Sequence, residues 1–553
     1  MYCTIGIDFG TLSARAIVVN TRDGAVLGEK VCEYPHGVMD SQLTCGVSLP
    51  PDWALQDPTD YLLTLEKTVK GALKEAGIQS DEVVGLSVDF TCCTLLPVDE
   101  SLTPLCLHDA FKRNKHAYPK LWKHHAALRQ AERISALAEA RGEAFLGQYC
   151  GYISPEWAVP KILEIYEQAP EVCARAAWYL EAGDWITALL TGTLAHSSSF
   201  AAYKSLWNAE SAFPHDAFFE ALAPGFAAEV KKHTGVPVRP IGTKAGTLSN
   251  QYAALLGLRE GISVGVPVGD AYATVIGNAV LKAGEMVIVL GTSACDILLA
   301  EERHTVAGID SVIRGAIAPG LYAYEAGQFG AGDTLGWFVN TMVPREYVNE
   351  AAQKGEGVHE LLTEKAARLA PGESGLIALE WFNGNRSILR NSALSGAVLG
   401  LTLTTRPEEI YRALIEATAF GQRMILDSFA RSGLPVERIV LSGGIARKNR
   451  LLDQIYADVL GRVVFVSDNT QAGALGAAMY AAVAAGSAAG GWDSIAEACG
   501  QMACAPGRRI DPDARNRAAY EELFSRYREL HDYFGRSSRL MEALKAQRTG
   551  AGK

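Results

Sequence analysis

Positive charge is in short supply: 51 Lys and Arg stand against 62 Asp and Glu, a net charge of −11. A general nucleic-acid binder needs a basic surplus to neutralise phosphates, so no nucleic-acid partner is expected. Cysteine is sparse as well: 11 residues, an odd number, scattered from Cys3 to Cys504. Several lie inside apolar runs (Cys92, Cys93, Cys295), and no C-x₂-C pair has a second pair to complete a zinc site. That pattern argues for reduced thiols and against a disulfide framework. Long apolar runs are missing too. The longest uncharged stretch, 472–492, is nearly all Ala and Gly, which suits a tightly packed internal helix and not a membrane span. The N-terminus has no basic region and meets an acid at Asp8, so no secretory leader, no membrane partner and a cytoplasmic location are expected.

What is there suffices for a large folded protein. Of the 553 residues, 48% are apolar and 20% charged, enough for two or three domains. Apolar runs at 2–9, 14–20 and 25–34, with the turn signal Thr21-Arg22-Asp23-Gly24, predict hairpins. A helix is predicted over 58–76 from Tyr61, Leu65, Val69 and Leu73 at four-residue spacing, followed by a buried strand at 83–88. Similar pieces return later. Strands are predicted at 264–268, 286–290, 294–300 and 438–441, and a long amphipathic helix opens at Pro407 with Glu408 and Glu409 in its first turn. The C-terminal stretch 512–544 reads as helix, with Tyr520, Phe524 and Tyr527 in a stripe suited to core packing or a subunit contact.

Two short segments are alike: Asp8-Phe9-Gly10-Thr11-Leu12-Ser13 and Leu290-Gly291-Thr292-Ser293 each follow an apolar strand and precede another. A glycine at such a turn lets backbone N–H groups approach a phosphate, and the Thr and Ser hydroxyls add donors. Arg15 adds a charge that can reach a terminal phosphoryl group. Asp8, at the strand end, is placed to hold Mg²⁺ through water. Ordinary polar hairpin turns are the competing reading. Ser442-Gly443-Gly444, with Asn449 five residues on, suits a flat base lying on bare backbone, or a turn that needs positive φ. Asp270 stands where an apolar strand meets a helix; it is either an N-cap or a general base for an attacking hydroxyl. His116, His124 and His125 have no acidic partner at ligand spacing and are read as structural. Trp381 to Arg386 reads as an ordered loop.

In this order and spacing, the pieces resemble the FGGY family of carbohydrate kinases, within the actin-like ATPase superfamily. The likeness spans nearly the whole chain and includes Glu416-Ala417-Thr418-Ala419-Phe420-Gly421, which matches the family's signature region. More distinctive are the segments 88–99 (VDFTCCTLLPVD), 121–126 (LWKHHA), 181–185 (EAGDW), 324–328 (YEAGQ), 380–387 (EWFNGNRS) and 406–414 (RPEEIYRAL), which point to the branch acting on five-carbon ketoses. Glycerol kinases carry Arg-Glu in place of Thr91-Cys92, and Asp-Gln in place of Asp270-Ala271.

The resemblance implies an α/β fold of two RNase-H-like domains, 1–255 and 256–490, flanking a deep cleft, with a helical C-terminal extension, 491–553. It implies ATP and Mg²⁺ as cofactors and a ketopentose as substrate; a homodimer is left open. Asp270 is implied as the catalytic base, with Cys92, Lys204 and Glu325 around the sugar. Cys92 departs from the alanine associated with this branch. Gly10, Thr11, Leu12, Ser13 and Arg15, then Gly291, Thr292 and Ser293, are implied at the phosphates. Gly332, Gly443, Gly444 and Asn449 are implied at the nucleotide, and Asp8 at the metal. A nucleotide-driven switch and a silent sugar sensor are the alternatives from other classes.

Overall fold

The structure, a computed structural model, describes residues 1–503 and 507–550. Cys504 and the last residues, expected to fray, lie outside that set. The chain divides into two compact units. The first comprises Met1–Leu281, Ile313–Tyr322 and Gln471–Cys504; the second comprises Lys282–Val312, Ala323–Thr470 and Ala505–Lys553.

The sheet of the first unit grows from β1 (Cys3–Phe9), β2 (Ser13–Asn20) and β3 (Val26–Glu33), an antiparallel meander. The Pro58–Ala76 helix follows; Asp57 caps its first turn by accepting from Thr59 N, and Gly77 ends it in the left-handed region at φ 65°. The chain then enters β4 (Val83–Phe90), buried throughout and parallel to β1. Later segments β5 (Lys244–Thr247), β6 (Ser263–Gly265) and β7 (Val268–Gly269) return to the same sheet, in the order β3-β2-β1-β4-β6-β5 with β7 also on β4. Two covering helices, Asp270–Gly277 and Ala472–Ala485, cross where Gly277 and Gly476 leave no room: a Cβ on either would lie 2.0 Å from a carbonyl of the other helix. The Ala/Gly-rich stretch is therefore a packed internal helix, as its composition predicts. Among the described residues no helix is long and apolar enough to cross a membrane.

The second unit repeats the plan. Its strands β8 (Glu285–Leu290), β9 (Ala294–Ala300), β10 (Ser311–Arg314), β11 (Tyr322–Gln328), β12 (Arg438–Ser442), β13 (Val464–Val466) and β14 (Arg508–Ile510) run in the order β10-β11-β9-β8-β12-β13-β14. The Pro407–Arg431 helix lies beside them, and its Arg412 and Glu416 pair at 2.8 Å. The aromatic stripe of the Arg517–Asp532 helix is core packing: Tyr520 bonds Glu416 and Tyr527 bonds Glu380.

The division differs from the expected boundaries. It falls at 281 and not at 255, because β6 and β7 hydrogen-bond β4 and carry the Asp270–Gly277 helix with them. The C-terminal 491–553 stretch is no separate body either; residues up to 504 belong to the first unit and the rest to the second. Local pattern marks strands well, but which sheet a strand joins is decided by distant partners.

Candidate functional site

Strand register assembles the first group of residues. Asp8 on β1 faces Arg15 on β2 and Asp89 on β4, so the three form one row across the sheet. Arg15 Nε lies 3.3 Å from Asp8 Oδ2. Asp89 is fully buried, and its side-chain hydrogen-bond partner is the neighbouring Asp8 carboxyl. Burial raises the pKa of Asp8, with Arg15 opposing; burial, then the charges of Asp8 and Asp270, push Asp89 well above the usual range. Asp89 has no role in the sequence reading; its one signal is an acid at the end of an otherwise apolar strand.

The turn itself is closed by Gly10 N–H donating to Ser13 O at 3.0 Å. Gln56 Nε2 donates to Thr11 O at 2.8 Å, and Trp122 Nε1 donates to the Thr11 hydroxyl at 3.1 Å. Neither Gln56 nor Trp122 was singled out as a site residue from sequence. Leu12 is exposed at the turn's tip, and its carbonyl accepts from Tyr34 N at 2.9 Å.

The expected sugar-side residues of this unit gather next to that row. β7 pairs with β4 at Asp89 and Phe90, and Asp270 follows immediately. Asp270 is the first residue of its helix; Gly269 is the cap, and the Asp270 carboxylate accepts from the adjacent Ala271 N at 2.8 Å. Cys92 lies against Gly269, its Sγ 2.3 Å from where a Cβ would sit. Burial and the nearby Asp270 charge keep its thiol protonated. Lys204 ends the Ser198–Lys204 helix, whose Tyr203 stacks on Tyr272 of the Asp270 helix with centroids 3.8 Å apart. The histidines do not form a metal group: His124 pairs with buried Glu164 at 3.0 Å, beside Lys120 at 2.9 Å.

In the second unit, Gly291 N–H donates to Ser293 O at 2.9 Å, closing a tighter turn. Thr292 O accepts from Ala331 N and Asp333 N, and Gly291 O accepts from Gly332 N, so the Gly332–Thr341 helix begins on the turn. Gly332 is obligatory there; a Cβ would sit 2.5 Å from Ile445 and 2.6 Å from Gly291 O. Gly443 has φ 107° and packs on Leu290 O, whereas Gly444 has open space. Asn449 caps the Arg450–Leu460 helix by accepting from Leu452 N at 3.0 Å and donates to Thr363 at 3.3 Å. Glu325 is clamped by Arg386 at 2.7 Å, which also holds Asp310 at 2.7 Å. The 381–386 loop thus supplies the cation for Glu325. Gln328, Glu380, Trp381, Asn385 and Arg386 line a shallow recess alongside.

The Asp8–Asp89 pair fits a hydrated divalent cation, because two adjacent carboxyls supply hard oxygen ligands with Arg15 as the one ion-pair partner among the described residues. Among the described residues no three His, Cys, Asp or Glu side chains are arranged to hold a metal, so such an ion would complete its shell with water and phosphate oxygens.

Paired glycine turns on two α/β units, one turn backed by acids, define a phosphoryl-transfer protein of the sugar-kinase kind. The comparisons with known proteins agree. Residues 3–277 match the FGGY family of carbohydrate kinases, N-terminal domain, and residues 286–485 match its C-terminal domain. The chain belongs to this family. It is 45% identical to the ribulokinase of Geobacillus thermodenitrificans over 544 residues, covering 98% of this chain and 96% of that one. It is 44% identical to the ribulokinase of Mycolicibacterium smegmatis, covering 99% and 96%. The solved xylulose kinase of Rhodospirillum rubrum shares the two-domain fold, with a TM-score of 0.74 at 24% identity over 96% of this chain and 98% of that one.

Proposed function

We propose that this protein transfers the γ-phosphoryl group of ATP to ribulose, at the 5-hydroxyl of the L-isomer, in the cytoplasmic breakdown of L-arabinose. One observation carries the reading: Asp270, two residues beyond Val268 of the sheet row Arg15–Asp8–Asp89, lies close enough for its charge to act on Asp89, and its charge and that of Lys204 both act on Cys92. That arrangement supplies a base, a cation and a phosphate turn at one end of the strands. The extent of likeness to curated ribulokinases, close to full length, favours ribulose over other sugars.

In this reading Asp270 accepts the proton of the attacking hydroxyl as its oxygen approaches phosphorus. The Gly10–Ser13 and Gly291–Ser293 turns hold phosphate oxygens through backbone N–H and hydroxyl donors. Arg15 or Lys204 offsets charge on the group in transfer. Glu325, oriented by Arg386, accepts sugar hydroxyls. Asp8 would hold magnesium, which when bound would offset charge on the nucleotide's phosphates. Gly332, Gly443, Gly444 and Asn449 line the nucleotide.

An ADP-release assay over L-ribulose, D-ribulose, xylulose and their pentitols tests this. L-Ribulose should give the highest kcat/KM. A large preference for D-ribulose or ribitol would overturn the substrate, and ATP hydrolysis indifferent to every sugar would favour a nucleotide switch. Asp270→Asn should bind nucleotide normally and lose at least roughly 10²-fold in kcat, the reach of general-base catalysis.

A further inference from the structure

We propose that Asp89 is a second carboxylate of the divalent-cation site, holding with Asp8 the hydrated ion that accompanies the nucleotide. This rests on the assignment of Asp8 to the metal, and it adds a residue that assignment does not contain.

The register pairs Asp8 with Asp89 directly on neighbouring parallel strands, so both side chains leave the same face of the sheet. The N-terminal turn of the Ala472–Ala485 helix covers them. A Cβ on its Gly473 would lie 3.3 Å from Asp8 Oδ2 and 3.5 Å from Asp89 Oδ1, so both oxygens face the same point at the start of this helix. Arg15 compensates Asp8, at 3.3 Å. Asp89 has no ion pair of its own among the described residues: it is 0% exposed, its side-chain hydrogen-bond partner is the Asp8 carboxyl, and Arg15 reaches it only as a neighbouring charge. Two adjacent buried acids with one nearby cation between them are unfavourable for the fold alone when both are ionised. A ligand that brings positive charge and accepts oxygen donors accounts for them, and Mg²⁺ takes one or two protein carboxylates with the rest of its shell from water and phosphate.

The second unit is an internal control. There β8 pairs with β12 as β1 pairs with β4, and the residues at the places of Asp8, Asp89 and Arg15 are Val289, Ser442 and Cys295. The same strand geometry thus forms without an acid at these three positions, so the acids serve something other than the sheet.

The test is Mn²⁺ binding to the full chain, followed by electron paramagnetic resonance with and without ADP, and by the Mn²⁺-induced rise in melting temperature. Asp89→Asn, nearly isosteric, should remain folded and weaken Mn²⁺ binding at least about tenfold, with the Mn²⁺-induced rise lost. Wild-type Mn²⁺ affinity in that variant would overturn the proposal and leave Asp89 as a proton-sharing neighbour of Asp8. Should the Asn variant fail to fold, Asp89→Glu, which keeps the charge but moves it, should still change the Mn²⁺ affinity by about threefold or more; an unchanged affinity overturns the proposal. No sugar or turnover enters this readout. A protein that binds Mn²⁺ through Asp89 yet phosphorylates no pentulose would refute the function and leave this site standing.

Discussion

The two glycine turns occupy equivalent places in equivalent hairpins, yet the strands behind them carry opposite chemistry. Behind the first stand Asp8, Arg15 and Asp89; behind the second stand Val289, Cys295 and Ser442, at the same register positions. The second unit has buried acids too, three of them clamped by arginines (Glu325 by Arg386, Glu416 by Arg412, Asp453 by Arg508 at 2.7 Å), with Asp296 and Glu380 held by the neutral donors of Gln422 and Tyr527. Folding this sheet therefore does not require an acid row. Where one occurs, the fold tolerates two adjacent acids whose mutual repulsion a bound cation would relieve.

Substitution at matched places tests that difference most severely. Asp8→Asn should lower kcat by at least roughly 10²-fold and weaken metal-nucleotide binding, since it removes charge where phosphoryl transfer depends on electrostatic positioning. Ser442→Ala, at the place matching Asp89, should cost at most about tenfold, the order of one neutral hydrogen bond. Steady-state kinetics with ribulose and varied MgATP would measure both. Equal losses would dissolve the contrast between the two rows.

A smaller effect separates the turns by backbone. Gly443 has φ 107°, and a Cβ would meet Leu290 O at 2.3 Å; Gly10 has no positive φ, and its Cβ would meet nothing nearer than 3.3 Å. Gly443→Ala should lower stability by about 2–4 kcal/mol, from the strained dihedral and the clash. Gly10→Ala should change it by about 1 kcal/mol or less. Urea midpoints, read at the transition of the unit carrying each glycine, distinguish them.

Much of this was legible in the sequence. Both glycine turns, the opening hairpins and the Ala/Gly-rich helix follow from local pattern, because each is fixed by residues close in the chain. Asp270 was ambiguous because a strand-to-helix junction accepts an aspartate as cap or as base; only the structure puts Gly269 at the cap. Asn449 shows the reverse, with a local capping bond where the resemblance implies a nucleotide contact. Asp89 and Arg386 were passed over because their partners lie 81 and 61 residues away, on other strands. A lone charge in an apolar strand was the available signal for Asp89. Nothing in the Trp381–Arg386 loop announced its partner.

The mildest expected effect concerns a clamped acid. Burial raises Glu380 from 4.5 to about 7, opposed by the Tyr527 phenol, which donates to both carboxylate oxygens at 3.0 and 2.8 Å. The folded protein therefore keeps this proton up to about pH 7, while the unfolded chain releases it near 4.5. Between those values the folded state binds more protons, so stability falls as pH rises and levels off above about 7. Glu380→Gln cannot titrate, so its melting temperature should decline less than the wild type's between pH 4.5 and 7, and the two curves should run parallel above. An identical decline in both proteins would mean that Glu380 stays ionised, and that clamping in the second unit neutralises its acids by pairing alone.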